Sequence, residues 1–253
     1  MNILLTNDDG IHAPGLEAVY RELQAIGQVK IVAPEIEQSA VGHAITIYNP
    51  LRVTEIYKNG GFFGYGINGT PADCVKVGLG VIFSQPADLV VSGINLGRNA
   101  GDSVIYSGTV SAATEAIILG VPAIACSLAT YTNPDFSVAA KFVAKLALMV
   151  HKYGLPKGTL LNVNVPAVSE DKITGVAVTR QGRFTSKDSF TKRVDPFQRH
   201  YYWLESVELG VEDPQAEYDL IALKQNKISI TPLKYDLTDY NFMEDLAKWD
   251  IRF

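Results

Sequence analysis

Short apolar runs at 3–5, 30–33, 88–92, 123–126 and 160–165 alternate with stretches of helical spacing, and this alternation constrains the fold more than any other feature. Continuous apolar strands are buried on both faces, as happens in parallel sheets covered by helices. The segments 16–26, 72–82, 110–119 and 136–152 carry the helical pattern; in the first, Leu16, Val19, Tyr20, Leu23 and Ile26 share one face. The alternation predicts an α/β fold: a doubly wound, largely parallel sheet with helices on both sides. Two stretches depart from it. Residues 46–65 alternate like a hairpin on the rim, and from 175 to 230 the helices vanish into β-rich extended arms. The expected organisation is a catalytic core over 1–170, then an appendage over 171–253 made of a hairpin arm, a returning strand and a terminal helix near 239–249.

Composition narrows the function. With 253 residues, 47% hydrophobic and 19% charged, the chain can build a substantial core. A net charge of -5 argues against wrapping nucleic-acid backbone, so a small anionic substrate needs a metal or local donors. The two cysteines, Cys74 and Cys126, lie among apolar or small residues, and no basic start leads into an apolar signal stretch. The expected compartment is the cytoplasm. No apolar run is long enough to span a bilayer.

Chemistry in open α/β sheets lies beyond the carboxyl ends of the strands. The first strand runs straight into Thr6-Asn7-Asp8-Asp9-Gly10, where Gly10 allows a turn that lets adjacent carboxylates converge. Such residues also make ordinary turns and helix caps. Polar clusters recur at later strand ends: Gln38-Ser39 through His43, then Asn95 through Gly101, then Tyr106-Ser107-Gly108-Thr109. Together they form a ring of hard oxygen donors with no paired-Cys or paired-His spacing, which favours Mg²⁺ or Mn²⁺ over Zn²⁺ and leaves Ca²⁺ open. Ser107-Gly108-Thr109 at a helix start offers free amides and a positive dipole end to a phosphate, and equally a good N-cap.

Gly64-Tyr65-Gly66-Ile67-Asn68-Gly69 matches the dinucleotide pattern, but its acidic partner would be Asp88, which precedes a strand instead of ending one. Thr70-Pro71-Ala72-Asp73 reads as a helix start, and no P-loop is present.

TNDDG at 6–10, NGTPADCV at 68–75 and SGINLGRNAGDSVIYSGTVSAATEA at 92–116 resemble the SurE family of stationary-phase survival proteins, which are metal-dependent nucleotidases; LNVNVP at 161–166, Thr179-Arg180 and SITPL at 229–233 extend the resemblance to the whole chain. The resemblance implies that Asp8, Asp9, Ser39 and Asn95 hold one divalent metal per subunit, that Asp8, Asp9 and Asn95 are catalytic, and that Asn99, Ser107, Gly108 and Thr109 surround the phosphate. It also implies a homodimer or homotetramer built through the C-terminal arm. Ala40 and Asn226 stand where the family usually carries glycine, and substrate preference is expected to drift around 185–195. The basic stretch 179–203 fits a subunit contact better than a substrate clamp.

The expected reaction is hydrolysis of a nucleoside monophosphate by water, with either aspartate open as the proton acceptor. Cleavage at the 5′ or 3′ position and of short polyphosphate is left open. The rivals are an aspartyl-nucleophile phosphatase and a non-catalytic nucleotide-binding module. His12 and His43 lie near these loops and read as structural or rim residues more than as leaving-group acids.

Overall fold

A computed structural model of the chain describes residues 1–211 and 217–251, with backbone alone at 184–187 and 206–211. In chain order the elements begin β1 (Asn2–Thr6), α1 (Pro14–Leu23), β2 (Gln28–Pro34), β3 (Val53–Lys58), β4 (Gly61–Ile67) and α2 (Pro71–Val77), which runs on into a π-helical turn at Gly78–Ile82. Next come β5 (Leu89–Leu96), α3 (Ser103–Tyr106), α4 (Gly108–Ile118), β6 (Ala123–Ala129), α5 (Ser137–Tyr153) and β7 (Thr159–Pro166). The remainder is β8 (Gly175–Val178), β9 (Phe184–Val194), β10 (His200–Val211), α6 (Asp219–Lys224), β11 (Lys227–Lys234) and α7 (Tyr240–Leu246).

A nine-stranded sheet runs β3-β4-β2-β1-β5-β6-β7-β11-β8, and β9 and β10 form a separate antiparallel ribbon. The central strands are parallel; β3 and β11 pair antiparallel with β4 and β7. Alternate residues of each central strand feed two cores. Ile3, Leu5, Val91, Cys126 and Val163 face α1 and α5, while Leu4, Val90, Ala125 and Leu160 face α2 and α4. Both layers are apolar, so the strands read as unbroken hydrophobic runs.

Local chemistry explains the helix starts. Pro14 opens α1, where its missing N–H costs nothing, and Leu16, Val19 and Leu23 bury the inner stripe. Thr70 and Asp73 form a reciprocal capping box on α2, as their spacing predicts. The glycines of the dinucleotide-like pattern lie within or just after β4, and a Cβ on Gly64 would come within 2.7 Å of Ile31 on β2. They serve close strand packing. The β3–β4 hairpin turns at Asn59-Gly60 with φ of 51° and 78°, the mirror-image turn that matches strand twist.

Two sequence expectations need correction. The stretch 175–230 is not free of helix: α6 lies inside it, six residues long with Leu220 and Ala222 buried, too short to show a period. Residues 185–195 are not loops but strand β9 up to Val194; the side chains of 185–187, Lys187 among them, lie outside the described residues. On the ribbon, Phe190, Tyr202, Trp203 and Leu204 are exposed, as are Phe242 and Trp249 at the C-terminal end, which meet edge to face. No described helix is long and apolar enough to cross a membrane. Ala40 and Asn226 have φ of 57° and 56°, the left-handed region in which glycine is unstrained.

Candidate active site

Strand β1 lies between β2 and β5, so the chain leaves β1 to one side and later returns on the other. Such a reversal opens a crevice at the carboxyl ends of the two central strands. Asp8 and Asp9 follow β1; Asn95 and Leu96 end β5.

Asp8 is buried, and the Thr109 hydroxyl donates to its Oδ1. Its backbone carbonyl accepts the Gln38 N–H at 2.7 Å, which brings the 38–43 loop alongside. The N-terminus of α4 abuts the same carboxylate: a Cβ on Gly108 would lie 2.7 Å from Asp8 Cβ and 2.9 Å from Oδ2. Only glycine lets the helix approach so closely. Asp9 Oδ2 accepts the Leu96 N–H at 3.1 Å, which ties the first loop to the end of β5. Asn95 spends its Nδ2 on the Gly97 carbonyl at 2.6 Å, leaving its amide oxygen as the atom a cation would use.

Electrostatics distinguish this pair. Burial pushes the Asp8 carboxyl above the usual carboxylate range, against the pull of the Thr109 hydrogen bond. Burial, then the neighbouring Asp8 charge, raises Asp9 to about 6. Glu37 raises both, and no described lysine, arginine or histidine forms an ion pair with either. Two crowded carboxylates with no counter-charge among the described residues fit a divalent cation. No three His, Cys, Asp or Glu side chains gather as a cation cage among the described residues, so the neutral oxygens of Asn95 and Ser39 would have to complete the set.

The remaining expected residues fall into three situations. Ser39 is exposed and its hydroxyl donates to Glu37 Oε1 at 2.6 Å, so it stands beside the acids through that loop without bonding them. Ser107 caps α4, accepting the Val110 N–H at 3.1 Å, while the amides of Gly108 and Thr109 belong to the first turn, where helices have no internal acceptor. Asn99 is buried against the ends of β6 and β7. Its Nδ2 donates to Ser127 Oγ at 2.9 Å, its N–H to Asn164 Oδ1 at 2.8 Å, and its carbonyl accepts from Asn162 and Asn164. His43 meets Glu115 at 2.8 Å and His12 is exposed; neither contacts the acids.

The sequence reading missed Glu37, Ser127, Asn162, Asn164 and Asp219 as supports of this site. Two asparagines at i and i+2 in a buried strand were a usable signal, because they share a face and must find partners. Asp219 left none, since it meets Gly101 across 118 residues of sequence.

Comparison with known proteins gives a consistent result. Residues 3–188 match the family described as survival protein SurE. A protein of Syntrophobacter fumaroxidans named 5′-nucleotidase SurE is 50% identical, covering 99% of this chain and 100% of its own length. One of the same name from Syntrophus aciditrophicus is 52% identical over 97% of this chain and 92% of its own. The crystal structure of the SurE protein from Aquifex aeolicus superposes with a TM-score of 0.86 at 39% identity, covering 97% of this chain and 98% of the other. Sequence and overall fold thus agree, and the chain belongs to the SurE family.

Proposed function

We propose that this protein is a metal-dependent 5′-nucleotidase that hydrolyses nucleoside monophosphates to nucleoside and phosphate. The observation that carries the reading is the Asp8-Asp9 pair, short of counter-charge and set against the N-terminal turn of α4. Relatives named 5′-nucleotidase SurE, covered over 92% or more of their length, support it.

Asp8, Asp9, Asn95 and Ser39 would hold the ion, Mg²⁺ or Mn²⁺ by the hardness of the donors. Bound there, it supplies Lewis acidity toward a phosphoryl oxygen and makes water a better nucleophile. The chain's own part is to orient and to stabilise charge. The Gly108 amide, with the dipole of α4 behind it, suits a phosphoryl oxygen, the Thr109 amide is turned toward Asp8, and Asn99 adds a fixed amide. The Thr109 hydroxyl pins Asp8 Oδ1 and the Leu96 amide pins Asp9 Oδ2, which fixes both carboxylates and leaves Asp9 Oδ1 available to the ion or its water.

Self-association through the segment from 171 onward, as a dimer or tetramer, accords with the exposed aromatic residues of the ribbon and the terminal helix. A cytoplasmic setting accords with two buried, unpaired cysteines.

The test is phosphate release from 5′- and 3′-nucleoside monophosphates with Mg²⁺, Mn²⁺ or EDTA, wild type beside Asp8→Asn. Metal-dependent release lost in the variant supports the reading. No release under any metal sinks it, and a trapped phosphoaspartate would replace direct hydrolysis with a covalent route.

A further inference from the structure

The loop that carries Asn99 is held at both ends of a short span. Under Asn99 lie Ser127, Asn162 and Asn164, already described. Beyond it, Gly101 donates its N–H to Asp219 Oδ2 at 2.8 Å, and its carbonyl accepts from Gln181 Nε2 at 3.0 Å. Asp219 is fully buried, and its other oxygen accepts the amides of Gly182 at 3.1 Å and Leu220 at 2.9 Å. Gly182 comes just before β9 and Asp219 opens α6, so the carboxylate sits between the two feet of the β9–β10 ribbon and the active-site loop.

The feet do not need this carboxylate to stay together. Arg180 donates its N–H to the Glu217 carbonyl at 2.8 Å, and Asp219 donates its own N–H to the Arg180 carbonyl at 3.0 Å. A neutral side chain would leave those backbone bonds intact without the penalty of burying a charge. What the carboxylate adds is a second oxygen, used on Gly101, and a charge that attracts Arg98 of the same loop.

We infer that Asp219 is a positioning residue for the nucleotidase site: through the Gly101 amide it fixes the 97–101 loop and with it Asn99, making the foot of the ribbon part of the active-site scaffold. The inference rests on the nucleotidase reading above. Asp219→Asn is the informative change, because the asparagine keeps one acceptor and turns an NH₂ toward an N–H that needs an oxygen.

The experiment compares full-length wild type and Asp219→Asn in steady-state phosphate release, Mn²⁺ affinity, and hydrogen exchange at the Gly101 amide. The expected result is kcat reduced about tenfold to a hundredfold, the scale of a displacement near 1 Å. KM and Mn²⁺ affinity stay within about twofold, as for an interaction that matters in the transition state, and exchange at Gly101 accelerates. An unchanged kcat in the variant, with the wild type active, overturns the inference alone. Loss of Mn²⁺ binding in step with kcat, with protection falling throughout, also overturns it, because the residue is then only a fold element. A wild type that releases no phosphate overturns the nucleotidase reading itself. If Asp219→Asn does not fold, Gln181→Leu decides: it removes only the bond to the Gly101 carbonyl and should lower kcat about fivefold, the worth of one hydrogen bond. Wild-type kcat in that variant rejects the inference.

Discussion

Asp73 and the Asp8-Asp9 pair are covered carboxylates at helix or strand ends, yet they have opposite acidities. Burial pulls Asp73 upward, but hydrogen bonds from Thr46 and Thr70 outweigh it and leave the carboxyl below its ordinary range. Those bonds include the Thr46 N–H at 3.0 Å, the Thr46 hydroxyl at 2.7 Å and the Thr70 N–H at 2.9 Å. Asp8 and Asp9 receive fewer donors, repel one another, and are raised. The fold therefore completes the first carboxylate with its own donors and leaves the other two to be completed from outside. One is a staple; the others are a socket.

The sharpest way to break this contrast is to neutralise each kind. Asp9→Ala should lower phosphate release by roughly a thousandfold, the upper scale for losing a key electrostatic element, while the metal-free protein melts no lower than wild type. A variant that keeps near-normal turnover would put Asp9 back among ordinary turn residues. Gly108→Ala comes next, because its methyl would press on Asp8 Cβ and Oδ2. Activity should fall about a hundredfold, as for a misplaced reacting group, with wild-type circular dichroism; full activity would show that α4 can retreat without harm.

Asp73→Asn should do the reverse, costing about 2 kcal/mol by leaving buried donors facing an NH₂. Mn²⁺ affinity in calorimetry should stay within about twofold, since a second-site loss near 1.4 kcal/mol would already be tenfold. A large fall in metal affinity would mean the two regions are not separate.

The pH response sharpens the comparison further. Burial and the Asp8 charge raise Asp9 to about 6 in the folded chain, above the ordinary carboxylate range, so between that range and 6 the folded state holds the extra proton. Stability of the chelator-treated protein should therefore rise as pH falls from 7 toward 5, and the rise should be missing in Asp9→Asn. Saturating Mn²⁺ should reverse the trend, because metal ligands must be deprotonated. Asp73 has the opposite sign: its contribution is present above the unfolded carboxylate range and is lost as pH falls through its lowered value. Melting curves of wild type and variant at pH 5, 6 and 7 decide this, and a metal-free midpoint that falls on acidification to pH 5 would reject it.

The smallest effect expected is at Ala40, beside the site loop. Its φ of 57° disfavours a side chain, so Ala40→Gly should stabilise the protein by about 0.5 kcal/mol, the left-handed penalty less the added freedom of the unfolded glycine. A destabilised variant would mean the alanine methyl makes a contact that outweighs the strain.

Much of this was legible in the sequence because it was local. The Asp-Asp-Gly turn, the Ser107 cap and the Thr70-Asp73 box each lie within four residues, and the strand ends of an α/β sheet told where their chemistry belongs. Asp219 and Asn162 act on loops far away in the chain, and no local pattern encodes that pairing. Helix α6 escaped for a related reason, since six residues held by burial against the rest of the fold need little periodicity of their own.

The exposed aromatics have an optical consequence. The chain contains two tryptophans, Trp203 on the ribbon and Trp249 beyond α7, both more than half exposed. Indole emission therefore reports on those outlying segments, while the central sheet and its crevice are dark to it. A denaturation curve followed by fluorescence will track the periphery and one followed by far-ultraviolet dichroism the sheet, so the gap between their midpoints measures how tightly the periphery is coupled to the body.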